Sequence, residues 1–224
     1  MTRNWVTKTL GEILHEGYGS TETGMLTHLL PQDLRKKPGS CGRAFDHVRI
    51  EIRDEHGAPV ATGDVGEIWV KTPVIIRQYH NGPPLADDTL DAGGYFRTGD
   101  VGYLDADGFL FITDRLKDMI VSGGVNVYPA EIEQAIHRHP AVQDVAVVGV
   151  PHADFGEVGK AFIELKVGAK VAADEIIDIC KQHLAGYKIP KTVEFVEELP
   201  RNAMGKILKR ELRSPHWKHA ERQV

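Results

Sequence analysis

The chain has 224 residues, 42% of them hydrophobic and 26% charged, with a formal net charge of −5. That composition supports a real core, in one large domain or two of roughly 100–150 residues each, and its acidic balance does not suggest general binding to nucleic acid or anionic membrane. Cys41 and Cys180 lie far apart and form neither a metal-ligand spacing nor a disulfide framework, which fits a reducing cytoplasm. The opening MTRNWVTKTLGEIL has no apolar signal core, and no apolar run reaches the roughly 18–20 residues of a membrane helix.

Gly11 to Glu16 reads as one strand of something larger. The following stretch, Gly17-Tyr18-Gly19-Ser20-Thr21-Glu22-Thr23-Gly24, interleaves glycines with an aromatic, hydroxyls and a carboxylate. Glycine lets backbone approach a ligand, Tyr18 offers a stacking face, and Glu22 can ligate a hard cation such as Mg²⁺. The alternative is a glycine-rich turn with no ligand. Residues 48–53 and 66–71 alternate apolar and polar, with Glu55-His56-Gly57 between them, as a hairpin with one buried face. Residues 72–94, rich in proline, glycine and acids, read as irregular surface.

The second dense motif is Gly94-Tyr95-Phe96-Arg97-Thr98-Gly99-Asp100. Asp100 held by a tight turn can accept bonds from vicinal hydroxyls, as acids do for ribose; a strand end and an ordinary turn is the alternative. A hairpin follows, with Asp105-Ala106-Asp107-Gly108 turning into an apolar strand from Phe109. Thr113 to Glu131 then reads as a joint: charges at 114–118, a short apolar run at 119–121, the flexible pair Gly123-Gly124, and Pro129 opening a helix.

Beyond the joint the pattern is that of a small α/β domain. Helical spacing predicts a helix over 129–139 with Ile132, Ala135 and Ile136 inward. Residues 144–150 predict a buried strand and 161–167 an alternating one. A helix over 173–184 buries Ile176, Ile177, Cys180 and Leu184, so Cys180 reads as core rather than nucleophile. His137, His139, His152 and His183 show no ligand spacing and read as surface. Thr192 to Val196 predicts a further strand. The chain then closes on Pro200-Arg201-Asn202-Ala203-Met204-Gly205-Lys206 and a short basic helix. A lysine beside a glycine suits an electrophilic role on phosphate or carboxylate oxygens; a solvated basic tail is the alternative.

Taken in order, Tyr18 to Glu22, Tyr95 to Asp100, Asp114 to Asp118, Ser122-Gly123-Gly124 with Asn126 to Glu133, and Pro200 to Lys206 resemble the AMP-forming acyl-CoA synthetases of the adenylate-forming superfamily. The resemblance runs from about Leu14 to Arg213. It implies an α/β (α+β) fold: the tail of a large adenylate-forming domain over residues 1–113 with a β-barrel-like subdomain, a hinge at 114–118, a small α/β C-terminal domain at 119–213, and a tail at 214–224. It implies ATP or AMP, Mg²⁺ and CoA as cofactors and a small-molecule carboxylic acid as substrate. Carried residue by residue, Tyr18 lies against adenine, Gly19 belongs to the cofactor-binding segment, and Thr21 contacts phosphate. Glu22 holds Mg²⁺, Asp100 the ribose hydroxyls, and Arg115 the nucleotide side. Lys117 is the hinge position, Ser122, Gly123 and Gly124 border the pantetheine tunnel, and Lys206 serves the first half-reaction.

Family members are roughly twice this length, and the serine-, threonine- and glycine-rich phosphate loop they carry upstream has no counterpart here. The sequence therefore leads us to expect the last two-fifths of such an enzyme, inactive alone, as either a truncated gene product or the partner of a separately encoded N-terminal half. A non-catalytic nucleotide- or CoA-binding module, or an inactive remnant, are the alternatives.

Overall fold

The structure, a computed structural model, describes residues 3–86 and 88–217. It divides into two compact units, Met1–Leu116 and Lys117–Val224. The first unit begins with helix α1 (Arg3–Leu10). Gly11, at φ +82°, ends it in the left-handed conformation, and its N–H bonds the Thr7 carbonyl at 3.1 Å. The strand expected at 11–16 is therefore not formed; Glu16 alone pairs, in an isolated bridge with Leu29. A two-strand ribbon follows, β1 (Gly19–Ser20) with β2 (Gly24–Met25).

The main body of this unit is a six-stranded sheet in the order β3-β4-β8-β7-β6-β5, all pairs antiparallel. Its strands are β3 (Thr27–His28), β4 (Gly42–Ala44), β5 (Arg49–Arg53), β6 (Gly66–Lys71), β7 (Phe96–Leu104) and β8 (Phe109–Arg115). The sheet is open, with β3 and β5 at its two edges. Its apolar core joins Leu26, Val48, Ile52, Ile68, Val70, Phe96 and Leu110. The guanidinium of Arg53 lies between Trp69 and Tyr95, 4.5 and 4.8 Å from their ring centres, and bonds Asp91 at 2.8 Å. This stacked cation pins residues 91–95 immediately before β7.

Asp100 does not sit in a turn as its sequence suggested; it lies inside β7. Trp69 pairs with Arg97 and Glu67 with Val101, so β7 spends four steps where β6 spends two. Gly99 takes up the excess at φ +72°, and the Thr98 hydroxyl bonds the Ile68 carbonyl at 2.7 Å. The result is a bulge that re-aims the side chains around Asp100.

The second unit carries a five-stranded sheet whose strands are β9 (Ile120–Ser122), β10 (Val125–Val127), β11 (Val142–His152), β12 (Gly156–Leu165) and β13 (Thr192–Val196). β13 runs parallel to β12 and is reached through helix α3 (Ala173–His183), the crossover that parallel pairing requires. On one face, α2 (Pro129–Ile136) and α3 pack Ile132, Ile136, Ile176 and Cys180 against Val145, Val147, Ala161 and Ile163. On the other, Ala146, Val148 and Phe162 meet Leu199, with Ile207 and Leu212 beside them. Residues 145 to 148 thus alternate between two buried faces, which is why they read as a continuous apolar run. In α3 it is Ile179, not Ile177, that packs on this core, one turn from Ile176 and beside Cys180. Burial pushes the Cys180 thiol up to about 11, as a core cysteine requires. α4 (Lys209–Arg213) follows the lysine motif.

A Cβ placed on Gly102 would stand 2.2 Å from the Phe111 carbonyl oxygen across β7 and β8. Gly102→Ala should therefore destabilise the first unit by about 1–3 kcal/mol, the usual cost of overpacking against rigid backbone. Differential hydrogen exchange should show the loss in β6–β8 amides and leave β11 and β12 protected as before.

Candidate functional site

In the first unit three separate segments meet at one carboxylate. The Tyr18 hydroxyl donates to Asp100 Oδ2 at 2.6 Å, and Arg115 Nε lies 3.3 Å from Asp100 Oδ1. The Asp100 side chain is only 16% exposed, against 46% for Arg115. Strand pairing fixes this meeting, since Asp100 and Arg115 are direct partners in the β7–β8 ladder. Tyr18 is set by its own backbone: its carbonyl accepts from Leu26 N–H at 2.8 Å and its N–H donates to the Thr27 hydroxyl at 3.1 Å. Burial, with the Asp100 carboxylate beside it, raises the Tyr18 phenol far above its ordinary value. A carboxylate offers about four acceptor positions, so Asp100 keeps capacity for further donors after Tyr18 and Arg115.

Thr21 and Glu22 lie in the turn between β1 and β2, Thr21 exposed and Glu22 half-buried. The ribbon is narrow because Gly19 has no side chain; a Cβ there would meet the Gly24 carbonyl at 2.2 Å. Glu22 is held by a residue the sequence did not single out. The Tyr79 hydroxyl donates to Glu22 Oε1 at 3.0 Å, and Ile76 N–H donates to the Glu22 carbonyl at 2.9 Å. Hydrogen bonding, foremost from Ser20, lowers the Glu22 carboxyl below its usual range and keeps it ionised. Tyr79 is 57 positions away in an irregular stretch, where no periodicity marks it. Among the described residues no group of three or more His, Cys, Asp and Glu is placed to hold a metal ion. Glu22 is thus a single carboxylate, which suits a magnesium ion completed by substrate phosphate oxygens.

In the second unit Ser122-Gly123-Gly124 is not a flexible pair after a strand but the tight turn of the β9–β10 hairpin, with Ser122 paired to Val125. Both glycines have positive φ, +58° and +79°, as a type I′ turn demands. Gly123 N–H also bonds the Phe155 carbonyl at 2.9 Å. Lys117 is exposed, in a single 3₁₀ turn over Leu116–Asp118.

Lys206 projects from a closed loop and is exposed. Asn202 organises it: its Oδ1 accepts from Met204 and Lys206 N–H at 3.0 and 2.9 Å, and its own N–H donates to the Lys206 carbonyl at 2.9 Å. Gly205, at φ +78°, permits the turn. Arg201 ties the loop to the sheet through Asp144 on β11 at 2.6 Å and Glu164 on β12 at 3.5 Å. Sequence reading chose Lys206 and passed over Asn202, whose partners lie within the motif, and Arg201, whose carboxylate partners lie outside it.

Two family descriptions match the chain. "AMP-binding enzyme" covers residues 2–80, and "AMP-binding enzyme C-terminal domain" covers residues 131–206. The chain belongs to the AMP-binding enzymes. A long-chain-fatty-acid–CoA ligase of Salmonella typhimurium is 43% identical over 213 residues, 95% of this chain and 37% of the relative. The ATP-bound structure of MatB from Rhodopseudomonas palustris superposes with a TM-score of 0.87 at 40% identity, over 97% of this chain and 43% of that one. An o-succinylbenzoate coenzyme A synthetase from Bacillus subtilis, in complex with AMP, gives 0.83 at 36% identity, over 93% and 42%. The chain thus spans about two-fifths of the length of these AMP-binding relatives.

The raised phenol has a measurable consequence. Tyr18 stays protonated in the folded protein, so the tyrosinate absorbance of wild type and Tyr18→Phe should be equal at about pH 11, above the ordinary tyrosine value of about 10. The stabilisation from its neutral, donating form is full below about pH 10 and is lost as pH rises through the higher folded value. A difference of one tyrosinate at about pH 11 would contradict this. The same substitution should cost about 1–2 kcal/mol at neutral pH, the worth of a partly screened bond to a charged acceptor.

Proposed function

We propose that this chain carries the nucleotide-binding edge, hinge and small domain of an acid–thiol ligase. In the first half-reaction a carboxylate oxygen attacks the α-phosphorus of ATP, forming acyl-adenylate and releasing pyrophosphate. In the second, the CoA thiol sulfur attacks the acyl carbon, the thioester forms, the acyl–oxygen bond to phosphate breaks and AMP leaves. The observation that carries this reading is the convergence of Tyr18 and Arg115 on the buried Asp100 carboxylate. A buried, oriented carboxylate that retains acceptor capacity suits a pair of ribose hydroxyls.

The other roles follow from position and charge. Tyr18 and Gly19 line the adenine, and the exposed Thr21 hydroxyl meets phosphate. Glu22, kept ionised by its hydrogen bonds, holds Mg²⁺. Bound Mg²⁺ supplies positive charge to the phosphate oxygens. Lys206, presented by the Asn202 loop, places a cation against charge building on carboxylate and α-phosphate. Ser122, Gly123 and Gly124 offer a narrow turn, its two glycines without side chains, beside which the pantetheine arm of CoA can pass. The hinge at 114–118, pivoting at Lys117, lets the small domain present Lys206 and this turn in succession rather than together. The acid substrate is a small-molecule carboxylic acid, and the activity calls for the N-terminal half that the relatives carry. Free Cys41 and Cys180 suit the cytoplasm.

Calorimetry with AMP tests the reading on the 224-residue chain itself. Asp100→Asn removes the charge but keeps the shape, and should weaken AMP binding at least about tenfold, the loss of one to two bonds to a charged group. Equal affinities would remove Asp100 from the site. AMP affinity without pyrophosphate release, persisting when a relative's N-terminal half and an acid panel are supplied, would favour a non-catalytic nucleotide-binding module. In the joined enzyme, Lys206→Ala should slow adenylate formation by about 10²-fold or more and leave thioester formation from preformed adenylate nearly unchanged.

A further inference from the structure

The bulge that carries Asp100 is fixed at both ends. Arg97 pairs with Trp69 at its start, and Val101 pairs with Glu67 at its end. Arg97 Nε also bonds both Glu67 carboxylate oxygens at 2.8 Å, a charge-assisted tie laid across the bulge from one end to the other. Along β6 the two ends stand two strand steps apart, roughly 6.6 Å, whereas four steps along β7 would extend roughly 13 Å. The three residues between, Thr98, Gly99 and Asp100, must therefore fold away about half of that reach. How they fold decides where the Asp100 carboxylate stands.

Gly99 permits the fold without fixing it. It lies at φ +72°, and a Cβ built there would meet nothing within 4 Å, so no close packing holds it. Thr98 supplies the fixed point. Its hydroxyl donates to the Ile68 carbonyl of β6 at 2.7 Å and accepts the Asp100 backbone N–H at 3.1 Å. A hydroxyl has one proton and two lone pairs, so both bonds form at once. A single oxygen thereby connects the neighbouring strand to the backbone of the carboxylate-bearing residue. Thr98 is half-buried, and its β-branch restricts χ1, which holds that oxygen in place. The same hydroxyl also reaches the Tyr18 phenol, on which burial acts most and the Asp100 carboxylate next.

We propose that Thr98 is a positioning residue: its hydroxyl, bridging the Ile68 carbonyl and the Asp100 N–H, sets the bulge so that the Asp100 carboxylate faces Tyr18 and the ribose of the nucleotide. This role rests on the ribose reading of Asp100 given above and adds to it the group that aims the carboxylate. A carboxylate that must meet two vicinal hydroxyls tolerates little displacement, because misplacement by about 1 Å forfeits much of a positioned contact.

Two substitutions in the full 224-residue chain separate the hydroxyl from the rest of the side chain. Thr98→Val keeps the branched shape and removes the bridge, and Thr98→Ser keeps the bridge and removes the methyl. By NMR without nucleotide, Thr98→Val should lose the cross-relaxation between the Tyr18 ring and the Asp100 β protons. Its Asp100 amide should exchange about three- to tenfold faster, while amides of the β5–β6 ladder keep their rates. By calorimetry its AMP affinity should fall about three- to tenfold at a temperature where both proteins are folded. Thr98→Ser should keep the Tyr18–Asp100 signal and stay within about twofold of wild type in exchange and affinity. An unchanged Tyr18–Asp100 signal in Thr98→Val, an equal rise in exchange along β5–β6, or no rescue by serine would each overturn this role. So would an AMP affinity unchanged in Thr98→Val beside a wild type that binds. Should Thr98→Val fail to fold, Thr98→Ala carries the same comparison. A wild type that binds no AMP would remove the ribose reading, and the NMR comparison would then decide the aim of Asp100 by itself. A Thr98→Val that matches wild type would leave the Asp100 site standing.

Discussion

One buried carboxylate organises the first unit. Asp100 draws the Tyr18 hydroxyl from the glycine-rich segment and the Arg115 guanidinium from the last strand before the joint. Its own strand is bulged by the Thr98-Gly99 step. A carboxylate at this depth is costly unless paired, and the pairing it finds is with groups drawn from chain segments 82 and 15 positions away. The same constraint that satisfies the charge brings together the three residues we propose for the nucleotide site. Arg115 is the last residue of β8, so the pairing also fixes where the first sheet ends.

The second unit solves a different problem. Its catalytic candidate, Lys206, needs to be presented outward on a rigid base. Alternating residues of β11 bury two apolar faces, one under α2 and α3 and the other under Leu199, Ile207 and Leu212. The lysine loop is therefore clamped by hydrophobic contacts on either side of it, while Asn202 and Arg201 fix its backbone. Rigid presentation of a single cation is the arrangement electrostatic stabilisation requires, because little reorganisation is then needed as charge develops.

Much of this was legible in the sequence, and the reasons differ by element. Asp105 to Gly108 announces its hairpin because an Asp-Gly step between apolar runs has few other uses. α2 and β11 announce themselves through proline at the first helical position and an unbroken apolar run. α1 was missed because it is short, polar on average and has no proline at its start, and Gly11 was read as opening a strand where it closes a helix. Thr98-Gly99-Asp100 reads as a turn, since a bulge and a turn both ask for glycine at positive φ; only the ladder on either side distinguishes them. Gly123 and Gly124 looked flexible for the same reason, and their hairpin gives them a fixed conformation. Motif residues such as Tyr18, Glu22 and Lys206 were found because their neighbours are distinctive. Tyr79 and Arg201 act through contacts with residues far off in sequence, and their roles emerge only with three-dimensional placement.

The central claim is that Asp100 receives the ribose of an adenine nucleotide. A crystal structure of this chain grown with AMP tests it most directly. The account predicts ribose hydroxyls within hydrogen-bonding distance of the Asp100 carboxylate, with Tyr18 and Arg115 keeping their places beside it. AMP bound away from Asp100, or seated there through its phosphate with the ribose turned outward, would contradict it.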